Sequence, residues 1–509
     1  MTGPHSIPHV AAAAAARWGD RIALVDEHGA LTFDGLWIDA RRAAAFFIEA
    51  GVNRGDRIAI WAPNSRAWIS AAIGSQIAGA AIVPLNTRLK GVEAADILRR
   101  TRTKILMTVR SFLGADYPAM IAPHPLPDLQ SIVSIDDSAA FAANDANDPR
   151  IDAALSAIGA DDVSDIMFTS GTTGAPKGAL NTHAATVRLF RGWVDAVNLT
   201  AEDRCLIVNP FFHTFGYKAG WLACLIAGAR MHPMAVFDAQ AAFETIRRES
   251  VTFVPGPPTL YQSLLAERAR TNEGVTTLRT AVTGAAVVPP TLIERMRDEL
   301  GFATVLTGYG MTECGTISMC RAGDDIDRVS QTCGRAMPGI EIKCIDEAGV
   351  TIDSGQTGEI CVRGFGVMKG YLDDPKATSE TIDADGWLHT GDVGRLDAGG
   401  YLRITDRKKD MYISGGFNCY PAEIEKLLSA HPSIEAVAVV GVPDERLGEV
   451  GMAFVVLRPG ASLDGAALIA WARDAMANYK APRYVEIVSD LPKNAAGKVL
   501  KTELRVRPA

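Results

Sequence analysis

The sequence predicts an α/β protein in which a large N-terminal domain of two αβ-layered sheets and a small β-barrel-like unit precedes a smaller α+β C-terminal domain. Apolar runs alternate with helix-like segments along residues 21–109 and again along residues 184–254, a pattern typical of mostly parallel sheets. Short β-like runs between Gly and Asp turns then occupy residues 331–403. A compact mixture of helices and strands follows, so we expect domains at residues 1–405 and 406–509.

The individual elements follow from the spacing of apolar residues. The alanine run at residues 11–16 predicts a first helix rather than a signal peptide, because no Lys or Arg precedes it and Arg17 and Asp20 follow. Residues 137–148, rich in Asp, Ala and Asn, predict a loop. The other predicted helices are residues 36–50, 184–198, 217–226, 421–429 and 465–476. The predicted strands are residues 58–61, 81–85, 205–209, 252–254, 341–345, 358–363, 401–405, 434–440 and 452–457.

Composition excludes several classes of protein. The chain of 509 residues is 48% hydrophobic and 22% charged, as in globular proteins. Its formal net charge of −8 argues against a nucleic-acid partner. The eight cysteines form no CxxC pair, so we expect free thiols in a reducing cytoplasm. The apolar run at residues 221–229 is shorter than the ~20 residues that a membrane span requires.

Residues 168–178 contain four Ser or Thr hydroxyls, three glycines and a lysine. Glycines let backbone N–H groups turn towards an anion, hydroxyls add donors, and lysine adds a mobile charge. This is not a Walker A loop, because Pro176 precedes Lys177 and Gly178 follows it. A flexible surface loop is the alternative, which so specific a string disfavours. The predicted phosphate ligands are Thr169, Ser170, Gly171, Thr172, Thr173, Gly174 and Lys177.

The string resembles the phosphate-loop signature of the adenylate-forming superfamily, which contains acyl-CoA synthetases, peptide-synthetase adenylation domains and firefly luciferase. Further motifs of that superfamily follow in its order over nearly the whole chain. The resemblance implies an AMP-forming acyl-CoA ligase that uses ATP, Mg²⁺ and CoA. A carboxylate is a poor electrophile, and its attachment to AMP provides the acyl carbon with a good leaving group.

Residues 308–313, Gly-Tyr-Gly-Met-Thr-Glu, resemble the nucleotide motif of the family. The resemblance implies that Tyr309 stacks on adenine, Thr312 donates to the α-phosphate and Glu313 binds Mg²⁺. A lone glutamate would be solvated, but six matching residues in series disfavour that alternative. The remaining implied nucleotide contacts are Gly308, Gly310, Met311 and the adenine loop Gly284, Ala285 and Ala286, which taken alone is equally an ordinary turn.

Thr390-Gly391-Asp392 resembles the ribose anchor, where Asp392 would accept hydrogen bonds from both ribose hydroxyls. Residues 406–410 resemble the junction between the domains, with Arg407 reaching ribose or phosphate and Lys409 at the hinge. Without the resemblance, that charged run would be a solvated linker. By analogy with the family, the C-terminal domain is mobile and serves two half-reactions in two poses.

Two motifs of the C-terminal domain resemble family motifs that act in those two poses. Ser414, Gly415, Gly416 and Phe417 resemble the loop that faces CoA, where adjacent glycines permit close approach. Residues 492–498 resemble the motif of the catalytic lysine, so Lys498 would reach the α-phosphate and the substrate carboxylate. A surface lysine near a C-terminus is usually inert, and only its register within the motif favours catalysis.

Residues 210–216 resemble an aromatic and histidine motif that lines the acyl pocket and implicates His213 in catalysis. Taken alone, such a cluster is more often core. Residues 213–220 and 255–264 resemble ligases of bacterial steroid breakdown that activate the propanoate arm of a bicyclic C/D-ring remnant. Lys218 then either meets a ring carbonyl or is solvated. The predicted acyl pocket comprises His213, Phe215, Lys218, Ala219, Gly220, Gly256, Ala285, Gly308 and Gly315.

Three alternatives remain open from the sequence. The chain would be a medium- or long-chain fatty-acid CoA ligase if straight-chain acids were preferred. It would load a separate carrier protein if CoA did not stimulate AMP release. It would be a non-catalytic nucleotide-binding protein if Lys498 were dispensable for ATP turnover. The resemblance further implies a homodimer.

Overall fold

The computed structural model describes residues 4–136, 141–169, 176–271, 274–284, 288, 290–346, 348–407, 412–419, 421–492, 499 and 501–505. We call residues 4–407 the N-terminal region and residues 412–505 the C-terminal region. An α/β fold with helices packed on mixed sheets is confirmed. The loop predicted at residues 137–148 is described from residue 141, where it forms turns before the helix Pro149–Ser156.

The first sheet of the N-terminal region brings the nucleotide motifs side by side. Its strands Phe253–Pro255, Thr280–Gly284 and Thr304–Met311 are parallel neighbours, whereas Gly315–Met319 returns antiparallel. Neighbouring parallel strands end at the same edge of a sheet. The glycine-rich ends of Thr280–Gly284 and Thr304–Met311 therefore lie side by side. In spatial order the strands are Arg335–Ala336, Gly315–Met319, Thr304–Met311, Thr280–Gly284, Phe253–Pro255, Arg204–Ile207, Arg230–Pro233, Ile22–Asp26 and Gly29–Thr32.

The second sheet carries the strands that flank the predicted phosphate loop. Lys177–Thr182 pairs antiparallel with Val163–Thr169, and Lys177 lies opposite Thr169. The chain therefore leaves and re-enters the sheet at one point. In spatial order the strands are Lys177–Thr182, Val163–Thr169, Ala81–Pro84, Arg57–Trp61, Ile105–Thr108 and Ser131–Ser134, with a separate hairpin of Ser111–Phe112 and Ala115–Asp116.

The third sheet is the antiparallel unit predicted after residue 331. Its strands are, in order, Ile340–Ile345, Gly358–Gly364, Leu388–Leu396 and Leu402–Arg407. The sheet of the C-terminal region runs Phe417–Cys419, Tyr412–Ser414, Gly448–Leu457 and Ile434–Asp444, with Tyr484–Ile487 parallel to Gly448–Leu457. One apolar core extends from Ile7 to Leu402, and separate cores form between Tyr412 and Leu504.

Helices cover these sheets. Their N-caps follow the usual chemistry: Thr182, for example, accepts a hydrogen bond from the N–H of Ala185 and so begins the helix after the second sheet's edge strand. The α-helices are Ile7–Trp18, Phe33–Glu49, Arg66–Ile77, Gly91–Arg100, Tyr117–Ile121, Pro149–Ser156, His183–Val197, Thr214–Gly216, Ala223–Ala227, Ala239–Arg248, Pro258–Thr271, Pro290–Asp298, Ile326–Gln331, Pro375–Thr381, Pro421–Leu428, Gly465–Ala475 and Lys501–Arg505. None of the described helices is both long and apolar enough to cross a bilayer.

The helix predicted over residues 217–226 is present, but its first part is not an α-helix. The segment Tyr217–Leu222 forms a π-helix, and an α-helix continues only over Ala223–Ala227. Gly220 permits the change, because its φ of −99° and ψ of −105° lie outside the helical region. Such π-turns occur often at functional sites.

Candidate active site

A buried carboxylate lies beside the two strands that flank the phosphate loop. The hydroxyl of Tyr371 donates to Glu313 Oε1 at 2.9 Å, and that of Thr169 donates to the same atom at 3.3 Å. The ammonium of Lys177 lies 5.0 Å from the ring centroid of Tyr371. Glu313 belongs to the turn that joins strands Thr304–Met311 and Gly315–Met319. The structure thus brings Thr169, Lys177 and Glu313 together from two sheets.

Burial raises the pKa of Glu313, whereas the hydroxyls of Tyr371 and Thr169 and the charge of Lys177 act in the opposite direction. Hydrogen bonds to the ionised form stabilise it, so these donors keep a desolvated carboxylate available as an anion. An approaching cation would favour ionisation further.

The residues at Glu313 fit Mg²⁺. A carboxylate and a threonine hydroxyl are hard oxygen donors, which that ion prefers. Among the described residues, no cluster of three or more His, Cys, Asp or Glu is placed to hold a metal, at Glu313 or elsewhere. Mg²⁺ commonly uses one or two carboxylates together with substrate phosphates and water. A single carboxylate such as that of Glu313 is therefore compatible with a Mg²⁺ site that substrate phosphates complete.

Tyr309 and Asp392 are brought together from the first and third sheets. The Tyr309 hydroxyl donates to Asp392 Oδ2 at 2.5 Å, and both side chains are buried. The backbone N–H of Asp392 donates to Thr390 Oγ1 at 3.1 Å, and Asp392 lies opposite Arg407 in the strand pair. The aromatic ring and the carboxylate predicted for adenine and ribose thus form one rigid unit.

Glycines allow the strand ends beside Tyr309 to pack closely. Gly284 lies opposite Gly308, and a Cβ at Gly284 would come 2.5 Å from the Gly308 carbonyl oxygen. A Cβ at Gly310 would come 2.3 Å from the carbonyl oxygen of Gly315. Larger residues at these positions would separate the strands, so the glycines keep the sheet closed at the nucleotide motifs. Met311 and Thr312 are half-buried at the same turn.

His213 connects the predicted acyl pocket to the phosphate-loop strand. The hydroxyl of the next residue, Thr214, contacts Met167 Sδ at 3.3 Å in strand Val163–Thr169. The His213 side chain is partly accessible to solvent, yet desolvation by the surrounding protein lowers the pKa of the imidazole to about 4. Its Nδ1 accepts the Phe215 N–H at 3.2 Å, so the neutral ring carries its hydrogen on Nε2.

Lys218 is buried in the π-helix and paired with a carboxylate. Its Nζ lies 3.0 Å from Asp165 Oδ1, and the two side chains are 3% and 0% exposed. Asp165 also accepts hydrogen bonds from Ser164 and Asn181. The alternative that Lys218 is solvated is therefore wrong. A substrate contact of Lys218 stays a prediction.

The other described residues of the predicted acyl pocket lie in or beside the π-helix and at strand ends of the first sheet. Ala219 and Gly220 are buried in the π-helix, Phe215 precedes it half-buried, and Gly256 is held by its N–H to the carbonyl of Val282 at 2.9 Å. Gly315 has a φ of +64°, and a Cβ added there would lie 2.5 Å from Leu189 Cδ2.

The predicted CoA loop forms a hairpin turn at the edge of the C-terminal sheet. Gly415 and Gly416 have φ of +56° and +84°, a conformation that favours glycine, and Ser414 is buried beside them. A Cβ at Gly416 would lie 3.6 Å from Pro257 of the N-terminal region. The turn thus faces the segment that carries Gly256.

Several predicted residues lie outside the described residues: Ser170, Gly171, Thr172, Thr173, Gly174, Ala285, Ala286, Lys409 and Lys498. Arg407 is described by its backbone alone. One contact of the site, Tyr371, could not be predicted from the sequence. It follows Gly370 in a segment that has no repeat and no charge pattern to mark it. Its partner Glu313 is 58 residues distant in the chain.

Comparisons with known proteins agree with this geometry. The family model described as AMP-binding enzyme matches residues 11–372, and that of the AMP-binding enzyme C-terminal domain matches residues 423–498. A "3-[(3aS,4S,7aS)-7a-methyl-1,5-dioxo-octahydro-1H-inden-4-yl]propanoyl:CoA ligase" of Rhodococcus jostii is 46% identical, over 99% of this chain and 98% of its own. A ligase of the same name from Mycobacterium tuberculosis is 48% identical over 96% of both chains.

A solved structure is similar over the whole length. The o-succinylbenzoate CoA synthetase of Bacillus subtilis, a double mutant bound with its product analogue, has a TM-score of 0.85 and 31% identity over 98% of both chains.

Proposed function

This chain belongs to the family of AMP-binding enzymes and is an acyl-CoA ligase, and from that premise we propose that it activates a bulky cyclic propanoate from steroid degradation. The substrate is supported by one observation above all: two relatives that match nearly the full chain carry the same name, a bicyclic dioxo-indenyl propanoyl:CoA ligase. The small side chains of the predicted acyl pocket, among them Ala219 and Gly256, are compatible with a bulky acyl group.

In the first half-reaction the substrate carboxylate attacks the α-phosphorus of ATP, and pyrophosphate leaves. We propose that Tyr309 holds adenine, that Asp392 holds the ribose hydroxyls and that Lys177 and the loop after Thr169 hold the phosphates. These residues lie on three sheets that are joined by the Tyr309–Asp392 and Thr169–Glu313 hydrogen bonds, and this arrangement supports the roles. Mg²⁺ bound at Glu313 would neutralise phosphate charge, and Lys498 would stabilise the charge that grows at the α-phosphate.

In the second half-reaction the thiol of CoA attacks the acyl carbon, and AMP leaves. The turn at Gly415 and Gly416 would admit the pantetheine arm, which its lack of side chains and its position against Pro257 support. A neutral His213 beside the pocket offers an Nε2 hydrogen to a substrate oxygen. We also propose a homodimer in the cytoplasm. The eight free thiols support the reducing compartment.

The test is AMP release by the purified protein with Mg-ATP and CoA across acetate, octanoate, palmitate, benzoate and the bicyclic dioxo-indenyl propanoate. We expect the last to have the highest kcat/KM by at least about tenfold, because filling an apolar pocket with several ring carbons adds well over 1.4 kcal/mol. Reactions without CoA serve as controls.

Each other result rejects a part of the proposal. Preference for octanoate or palmitate would reject the steroid-derived substrate and favour a fatty-acid ligase. Acid-dependent release of pyrophosphate without any stimulation by CoA would favour loading of a carrier protein.

A further inference from the structure

A buried lysine joins the two regions of the chain. Lys480 Nζ lies 2.9 Å from Glu93 Oε1 and 2.6 Å from Glu423 Oε1. Glu93 belongs to helix Gly91–Arg100 of the N-terminal region, and Glu423 belongs to helix Pro421–Leu428 of the C-terminal region. The Lys480 ammonium is therefore shared by two carboxylates that belong to helices of different regions.

The burial of this cluster distinguishes it from surface ion pairs. The side chains of Lys480, Glu93 and Glu423 are 4%, 11% and 7% exposed. Surface pairs contribute little, whereas a buried charge that loses its partner is strongly destabilised. The Lys480 ammonium therefore favours the arrangement in which both carboxylates reach it.

Aromatic contacts extend the same interface. The amide of Asn86 donates to the Tyr479 hydroxyl at 3.3 Å, and Tyr479 stacks on Phe417 with ring centroids 4.6 Å apart. The Arg88 guanidinium lies 4.9 Å from the centroid of Phe417. Phe417, which follows the glycine turn, is thus packed directly against Tyr479, the residue before Lys480 in the chain.

These contacts locate the glycine turn relative to the N-terminal region. Gly416 faces Pro257 on one side of the turn, and Phe417 is fixed through Tyr479 on the other. The described nucleotide contacts, Tyr309, Asp392 and Glu313, have their partners within the N-terminal region instead. The interface at Lys480 therefore bears on the turn and leaves the nucleotide contacts unaltered.

We propose that Glu93 and Lys480 are positioning residues for thioester formation, whose ion pair holds the glycine turn at residues 415–416 in place for the attacking thiol. The inference rests on the proposed function. Attack of a thiol on an acyl carbon depends steeply on alignment, so loosening the turn slows this step. Formation of the acyl-adenylate does not need the pair.

The test is Glu93→Gln, assayed in each half-reaction separately. Lys480 keeps Glu423 as its partner, and glutamine can still accept the Lys90 N–H that Glu93 accepts at 2.9 Å. We expect acid-dependent exchange of pyrophosphate into ATP to stay within about twofold, and single-turnover acyl transfer to saturating CoA to fall about tenfold. The probe acid is the bicyclic dioxo-indenyl propanoate, or octanoate if the panel favours it.

Glu267→Gln is the matched control. Glu267 is 10% exposed and lies 2.6 Å from Arg270 within one helix, so its loss touches no contact between the regions. Tyr479→Phe is a second variant, which removes only the hydrogen bond from Asn86. We expect it to slow transfer about threefold with exchange unchanged, because a neutral hydrogen bond contributes about 0.5–1.5 kcal/mol.

The outcomes separate the two proposals. Acid-dependent exchange in the unaltered protein with transfer unchanged in both variants would overturn the positioning role alone. An equal fall of exchange and transfer would overturn it too, since that result indicates a general loss of structure. Absence of acid-dependent exchange in the unaltered protein would overturn the proposed function and this inference with it.

Discussion

Glu313 is the buried carboxylate that the proposed mechanism requires to ionise. Burial raises the pKa of Glu313, and the hydroxyl of Tyr371 is the first of the groups that oppose this rise. A donor to the ionised form lowers a carboxyl pKa, so removal of that donor raises it. The hydroxyl therefore extends the pH range in which Glu313 is an anion.

Tyr371→Phe should move the acidic limb of the pH–rate profile of adenylation to higher pH. In the proposed mechanism ionised Glu313 is the active form, so the variant loses more activity on the acidic limb than at pH 8, by up to about fivefold for a bond of about 1 kcal/mol. Pyrophosphate exchange across pH 5.5–8.5 measures this. Tyr401→Phe, which removes a hydroxyl 2.6 Å from Asp324, is the control with an unmoved profile. Parallel profiles for Tyr371→Phe and the unaltered protein would contradict the expectation.

Lys218→Met should destabilise the protein by about 3–5 kcal/mol, because it leaves Asp165 as a fully buried charge. Lys218→Met with Asp165→Asn should regain most of this loss, since the amide is neutral. Urea unfolding measures both.

Lys376→Met is the control for Lys218→Met. Its ammonium is 87% exposed and lies 3.9 Å from Glu380, so we expect a change within about 0.5 kcal/mol. If the double variant were no more stable than Lys218→Met, the buried charge would not be the cause of the loss.

At the scale of elements, the glycine-rich strand ends let two neighbouring strands pack closely at the predicted nucleotide motifs. Gly284→Ala should destabilise the protein by about 1–3 kcal/mol, because the added Cβ meets the backbone oxygen of Gly308 at 2.5 Å. Gly308→Ala should have a smaller effect, since its Cβ first meets Met319 Cε at 2.8 Å and a thioether end can move. Urea unfolding of the two variants decides, and equal losses would contradict the difference.

Elements with a regular pattern were predictable from the sequence, and those that depend on distant partners were not. The alternation along residues 184–254 gave the parallel strands, and the alanine run gave the helix Ile7–Trp18. The π-helix Tyr217–Leu222 was missed, because its local spacing is that of an α-helix. Asp165, which pairs with Lys218 inside it, lies on another sheet, and no local signal joins the two residues.

The site followed the same division. Motifs with a fixed internal order placed Thr169, Tyr309, Glu313 and Asp392 in one site, and the structure joins them in pairs. Tyr371 and Glu93 have no motif of their own, since each acts through a partner far along the chain.

At the scale of the whole molecule, the residues proposed for the two half-reactions are supported by separate apolar cores. The core from Ile7 to Leu402 supports the nucleotide contacts, whereas the cores between Tyr412 and Leu504 support the glycine turn. Contacts such as Lys480 with Glu93 then decide how the turn meets the nucleotide site.

Lys498→Ala should lower the adenylation rate by about 10²–10³, equivalent to about 3–4 kcal/mol of transition-state stabilisation. The role proposed for Lys498 is confined to the first half-reaction, so transfer of the acyl group from supplied acyl-adenylate to CoA should persist. Exchange and single-turnover transfer measure the two steps, with Lys376→Ala as an inert control. Loss of both steps would contradict the assignment, whereas loss of exchange alone would be the converse of Glu93→Gln. Together the two variants would show that one C-terminal region serves two reactions through different side chains.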